Sequence, residues 1–165
     1  MPHNKNLTAK AAHARHHVNL RLERWHRRSL YACVGVLHLS GAAWLIARYF
    51  LRAAGEFGET VHPIEPWAIK LHGAAVMLVL FFLGTLLNSH VRRAIKSRRN
   101  LVSGWSMIGV MFFLTMTGFV LYYLTSESTR PVWSLLHWAV GLAVPVMILV
   151  HVLAGRASRH GPRQE

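Results

Sequence analysis

The sequence predicts an all-α membrane protein: four transmembrane helices in an up-down-up-down bundle, with both termini on the cytoplasmic side. Three observations predict it. Four apolar segments are each long enough to cross a bilayer as helix, which takes about 20 residues. None alternates with the period of two expected of a barrel strand, and a helix satisfies its own backbone in lipid. Lysine and arginine crowd the connections on one side only.

The spans fall near residues 29–51, 67–89, 101–124 and 132–153. They form one transmembrane domain, 29–154, flanked by a basic N-terminal segment, 1–28, and a basic tail, 155–165. The first segment is too long and too polar for the n-region of a signal peptide, and no cleavage site follows, so the first span is expected to remain in the mature chain.

Composition narrows the function classes. The 165 residues are 53% hydrophobic yet carry a formal net charge of +13, with mean hydropathy +0.28. A nucleic-acid binder would spread that charge over a folded soluble surface, whereas here it lies between apolar blocks, so no nucleic-acid partner is expected. Cys33 is the single cysteine. That excludes an internal disulfide, covalent C-x-x-C-H haem attachment, and zinc or iron–sulfur sites built on several cysteines. Metal chemistry in this chain falls to histidine.

Orientation follows from the basic residues. The first segment holds Lys5, Lys10, Arg15, Arg21, Arg24, Arg27 and Arg28, the connection after span two holds Arg92, Arg93, Lys96, Arg98 and Arg99, and the tail holds Arg156, Arg159 and Arg163. The two opposite connections carry only Arg52 and Arg130, with Glu56, Glu59, Glu65 and Glu127. Positive charge stays inside, giving N-in and C-in. Trp67, Trp133, Tyr122 and Tyr123 at outer ends, with Trp25 and Trp105 near inner ends, read as interfacial anchors. Residues 52–66, with Gly55, Gly58, Pro63 and Pro66, read as irregular outer-face structure. The N-terminal histidines His3, His13, His16 and His17 read as part of a solvated basic arm on anionic lipid.

Ionisable residues inside a bilayer are costly and point to function. His38 in span one, His72 in span two, and His137 and His151 in span four are such residues, and His90 stands at the inner end of span two. A hydrogen bond to a neighbouring helix would account for any one of them. Several at matched depths ask for more. His72 and His137 each lie five residues inside the outer start of parallel spans, so two imidazoles reach one depth from two helices. Haem iron takes axial ligands from opposite faces of its ring, and this placement suits a bis-His b-type haem. Gly73 and Gly141 leave room beside the ligands, or simply pack helices closely. Lys70 is a candidate partner for a haem propionate, or snorkels to the interface.

His151 lies 14 residues beyond His137, about 21 Å along nearly the same helix face. His90 lies 18 beyond His72, about 27 Å. His90 and His151 thus form an inner pair with a depth mismatch of roughly 6 Å, and His38 is the rival partner for His151. Pro145, between the span-four ligands, is expected to kink that helix. Arg92 and Arg93 beside His90 are candidate partners for inner propionates, or ordinary inside anchors.

The segment Trp133-Ser-Leu-Leu-His137 through Val150-His151, with its 14-residue histidine spacing, resembles the last helix of the prokaryotic cytochrome b561-like dihaem membrane subunits. That group includes the cytochrome b subunits of formate dehydrogenase and nickel–iron hydrogenase. Thr117-Gly118-Phe-Val-Leu-Tyr in span three and His72 early in span two look like theirs as well, and the likeness covers about residues 24–155. The resemblance implies a four-helix core with two b haems, or at least one, carrying electrons between quinone and a periplasmic or membrane redox partner in the bacterial inner membrane. Such a chain is at most the membrane cytochrome subunit of an oxidoreductase.

Span one departs from the pattern. With Ser40-Gly41 aligned on the family's similar dipeptide, the usual inner ligand position falls on Arg27, beside His26, and His38 lies well past it. His90 is an addition, and His62-Pro-Ile-Glu-Pro-Trp67 does not match the well-studied members. Two other function classes compete: a haem-free scaffold or assembly subunit whose histidines only join helices, and a proton or metal transporter. The second of these would show acidic residues in its spans and repeat symmetry.

Overall fold

The computed structural model describes residues 23–56, 58–98 and 100–160. The charges and histidines read above at residues 1–22, Arg99 and Arg163 lie outside the described residues. In chain order the elements are α1 (Arg24–Phe50), β1 (Ala53–Gly55), β2 (Gly58–Thr60), α2 (Ile64–Leu86), a π-helical turn (Leu87–Val91), α3 (Arg92–Ser97), α4 (Leu101–Tyr123) and α5 (Arg130–His160). The fold is an all-α four-helix bundle, and four helical stretches are long and apolar enough to cross a membrane.

The helices overrun the predicted spans. α1 starts five residues earlier than expected, at Arg24, and α5 begins at Arg130. Charged ends add little cost to a helix whose apolar middle already lies in lipid, because long cationic side chains reach the interface. The basic connection after span two, expected as a loop, is largely helical, since α2 runs through the π turn into α3. α5 accommodates Pro145 within one continuous helix.

The connection between α1 and α2 is more regular than the sequence indicated. β1 and β2 pair antiparallel with Ala53 opposite Thr60 and Gly55 opposite Gly58. Two glycines close this hairpin. Gly58 has φ +111°, and a Cβ on Gly55 would come within 2.7 Å of the Thr60 methyl. The hairpin also aligns charges. Arg52 grips Glu65 with two 2.7 Å hydrogen bonds and reaches Glu59 at 3.3 Å. The Glu65 carboxylate, 5% exposed, thereby holds the Arg52 guanidinium more firmly in its charged form.

Packing is uneven in a way that sets up the site. Each long helix packs mainly on its hairpin partner, α1 on α2 and α4 on α5, while α1 and α5 make a lighter contact between the hairpins. Small residues bring α1 and α2 close: Ser40 and Ala47 on one, Ala68 and Ala75 on the other, each pair seven residues apart and buried. Large apolar side chains face outward along all four helices, as lipid requires. Between the two hairpins lies a cavity of about 2750 Å³, lined from Arg24 and Arg156 at one end to Arg130 and Tyr123 at the other. We refer to its two mouths as the hairpin end, next to β1 and β2, and the termini end.

Candidate functional site

Two histidine pairs stand in this cavity. His72 of α2 and His137 of α5 have ring centres 6.3 Å apart and planes inclined at 72°. His90, in the π-helical turn, and His151 of α5 repeat the arrangement at 6.3 Å and 71°. All four residues line the cavity. The first pair lies toward the hairpin end and the second toward the termini end. Along α5 they are separated by 14 residues, about 21 Å.

The π turn helps His90 meet His151. Eighteen residues of regular α-helix would carry His90 deeper than its partner, but i→i+5 bonding packs more residues into each turn and shortens the rise. It also rotates the following residues around the helix axis. Single π turns of this kind are frequent at functional positions.

A backbone carbonyl sets the tautomer of His72, and the other bonds of the Thr117 and Ser103 hydroxyls favour the same tautomer for His137 and His151. The Nδ1 of His72 lies 3.0 Å from the Leu37 carbonyl oxygen, which can only accept, so Nδ1 carries the proton and Nε2 the lone pair. Ser40, donating to the same carbonyl at 2.9 Å, stands 3.3 Å from that nitrogen. Thr117 has one hydroxyl proton and donates it to the Phe113 carbonyl at 2.9 Å, so its oxygen accepts from Nδ1 of His137 at 2.8 Å.

His151 is held by a longer chain. Asn100 donates to the His151 carbonyl at 3.1 Å, which turns its own amide oxygen toward Ser103. Ser103 donates to that oxygen at 2.6 Å and accepts from Nδ1 of His151 at 3.0 Å. Asn100 reaches this position through a left-handed backbone, φ 52°, which asparagine tolerates. In each case Nδ1–H is the donor, and Nε2 keeps the lone pair with which a histidine binds metal.

The most deeply buried polar residues serve this purpose. Ser40 is 4% exposed and Thr117 2%, and both touch the Nδ1 of a cavity histidine. Glycines make the approach possible. A Cβ on Gly41 would stand 3.2 Å from the His72 ring, and one on Gly118 would stand 3.4 Å from His137. Gly73, beside His72, has open space where a side chain would be.

The geometry can be tested against a metal held between two imidazoles. A metal–nitrogen bond of about 2.0 Å and roughly 1.1 Å from nitrogen to ring centre put two trans imidazoles about 6.2 Å apart, centre to centre. Both pairs meet that spacing. Among the described residues no group of three or more metal-ligating side chains gathers. Two imidazoles are an incomplete shell for a bare ion, but each pair, His72 with His137 and His90 with His151, would hold a metal that a macrocycle already carries. The cavity is well above the roughly 300–1,000 Å³ of a pocket for one small ligand. The residues present fit two haems.

The remaining candidates fall elsewhere. His38 lines the cavity from α1 and is paired with neither histidine couple. His26 turns toward α2, where its Nε2 is 3.1 Å from Thr85 Oγ1 and its ring meets Phe82. Lys70 lies over the Trp67 ring at 5.0 Å, and Arg92 donates to Asn88 at 2.9 Å. Neither cation lines the cavity, because each is two residues from a cavity histidine and residues i and i+2 do not share a helix face.

Other arginines do line it: Arg48 and Arg130 at the hairpin end, and Arg24, Arg27, Arg28 and Arg156 at the termini end. Arg48 was absent from the sequence-based candidates. Its signal was its position, an arginine within an apolar span, seven residues from Gly41.

Thr117→Val should leave the helices intact and weaken the hairpin-end site. Valine keeps the shape but leaves the His137 Nδ1–H without an acceptor. A partner of this kind is worth about 10–100-fold in metal affinity. Haem titration of the detergent-purified chain checks this, and unchanged retention would show that Thr117 does not orient the ligand.

Comparison with known protein families, curated proteins and solved structures finds no match.

Proposed function

We propose that this protein is a b-type cytochrome of the bacterial inner membrane, passing electrons between the quinone pool and a redox partner through two haems. The observation that carries the reading is the repeated pair: two histidine couples, each with ring centres 6.3 Å apart, in one cavity between four membrane helices. Bound haem iron would supply one-electron exchange. The chain's own residues would hold it, His72 with His137 toward one face and His90 with His151 toward the other. Nδ1 hydrogen bonds keep three of the four Nε2 lone pairs available. Sites separated by about 21 Å along α5 divide the crossing into shorter steps.

The orientation belongs to the same proposal. Positive charge at the termini end supports cytoplasmic termini. The hairpin end then faces the periplasm, where the partner would dock. The histidine spacing of α5 and the four-helix fold support membership among the b561-like dihaem subunits.

The scaffold reading has one observation in its favour, since each Nδ1 bond of His72, His137 and His151 joins two helices. Edge-to-face ring contact also spans about 4.5–7 Å. Neither accounts for two couples sharing one spacing and one angle with an Nε2 lone pair to spare. The decisive measurement is a reduced-minus-oxidised spectrum and a pyridine haemochrome count on the purified full chain. Two b haems per chain are expected; a colourless protein purified from haem-replete cells sinks the reading.

A further inference from the structure

The haem reading leaves open which cations meet the carboxylates of the macrocycle, and the hairpin end offers a specific pair. Gly41 faces the His72 ring, where a Cβ would stand 3.2 Å away, and Arg48 stands seven residues further along α1. His137 stands seven residues beyond Arg130 on α5. Seven residues are two helical turns to within about 20°, so each arginine lies on the same stripe as the site. Each is about 10.5 Å nearer the hairpin end. Both line the cavity.

Their charge is available. Arg52 occupies Glu65 with two 2.7 Å bonds, leaving Arg48 4.0 Å from an acid that is already paired. Arg130 donates Nη1 to the Leu121 carbonyl at 3.3 Å and makes no ion pair among the described residues. The acid lining the same mouth is Glu127, one turn before Arg130. Arg48 carries about 43% side-chain exposure, enough to move toward a ligand in the cavity.

We infer that Arg48 and Arg130 form a two-armed anion clamp. It takes the paired carboxylates of the macrocycle held by His72 and His137 and turns that edge of the ring toward the hairpin end. The inference rests on the haem reading. Two guanidiniums on different hairpins, facing one cavity from α1 and α5, would also tie the hairpins together across the ligand. Arginine suits the task because its planar fork meets a carboxylate with two parallel hydrogen bonds.

The test uses the full-length apoprotein in detergent, titrated with haem b and with haem b dimethyl ester, whose carboxylates carry no charge. Wild type should bind haem b at the hairpin-end site about tenfold more tightly than the ester. The double variant R48Q/R130Q should lose that preference, and R48K/R130K should recover part of it. Potentiometry supplies a second readout. Removing positive charge favours the ferric form, so the hairpin-end potential should fall by about 59 mV if the ferric-to-ferrous affinity ratio shifts tenfold. The termini-end potential should stay in place and serves as the check on folding. Haem bound with equal preference and equal potential in wild type and R48Q/R130Q overturns the clamp while leaving the haem reading standing. No binding of either form by wild type overturns the reading beneath it.

Discussion

His137→Ala is expected to halve the haem content, from two per chain to one, and to remove the hairpin-end component from a redox titration. His72→Ala should do the same, because an axial pair fails when either imidazole is lost. The fold should survive. Thr117 retains its bond to the Phe113 carbonyl, and the loss of one hydrogen bond to His137 costs about 1 kcal/mol. The contact between α4 and α5 extends well beyond that residue. Haemochrome content at constant protein, with circular dichroism as the folding control, is the measurement. Two haems retained in either variant would refute the pairing of His72 with His137. Free imidazole added to the alanine variant should restore part of the spectrum, since it can occupy the space vacated by the ring and present the same donor atom.

The second large effect concerns the other pair. His90→Ala should abolish the termini-end haem, and His38→Ala should leave both haems bound. His90 holds its ring 6.3 Å from His151, at the separation that suits a shared metal, whereas His38 lines the cavity from α1 and belongs to neither histidine couple. Retention of two haems in His90→Ala, with one lost in His38→Ala, would reverse the assignment. If His90 and His151 hold one haem between them, the loss in His90→Ala should match that in His151→Ala.

Much of the site was legible because its signals are periodic. The five-residue offsets of His72 and His137 from their span starts place them at one depth, and the structure brings them together. His151 was marked by its 14-residue spacing. Its partner was not decided, because a count of 18 residues at a uniform α-helical rise leaves His90 about 6 Å out of level. No sequence rule announced the π turn. The candidate propionate partners Lys70 and Arg92 stand outside the cavity lining for a different reason. Lys70 and Arg92 are close to the histidines along the chain, but adjacency in sequence turns a side chain to another face. Arg130, seven residues or two turns from His137, and Arg48, seven residues from Gly41 on α1, both line the cavity.

The sequence by itself determined the four long apolar helices, their connectivity and the matched positions of His72 and His137 along two of them. These follow from hydrophobic length and helical rise, which are local properties of the chain. It also determined that Gly41, Gly118, Ser40 and Thr117 would be present, without revealing their purpose. Only the tertiary structure decided that the bundle divides into two tight hairpins around a cavity. It likewise decided that Nδ1 of His72 meets Leu37, that of His137 meets Thr117 and that of His151 meets Ser103. Such pairings depend on how neighbouring helices rotate and how closely small residues let them approach. That is settled by packing between helices and is not encoded in the pattern of any one of them.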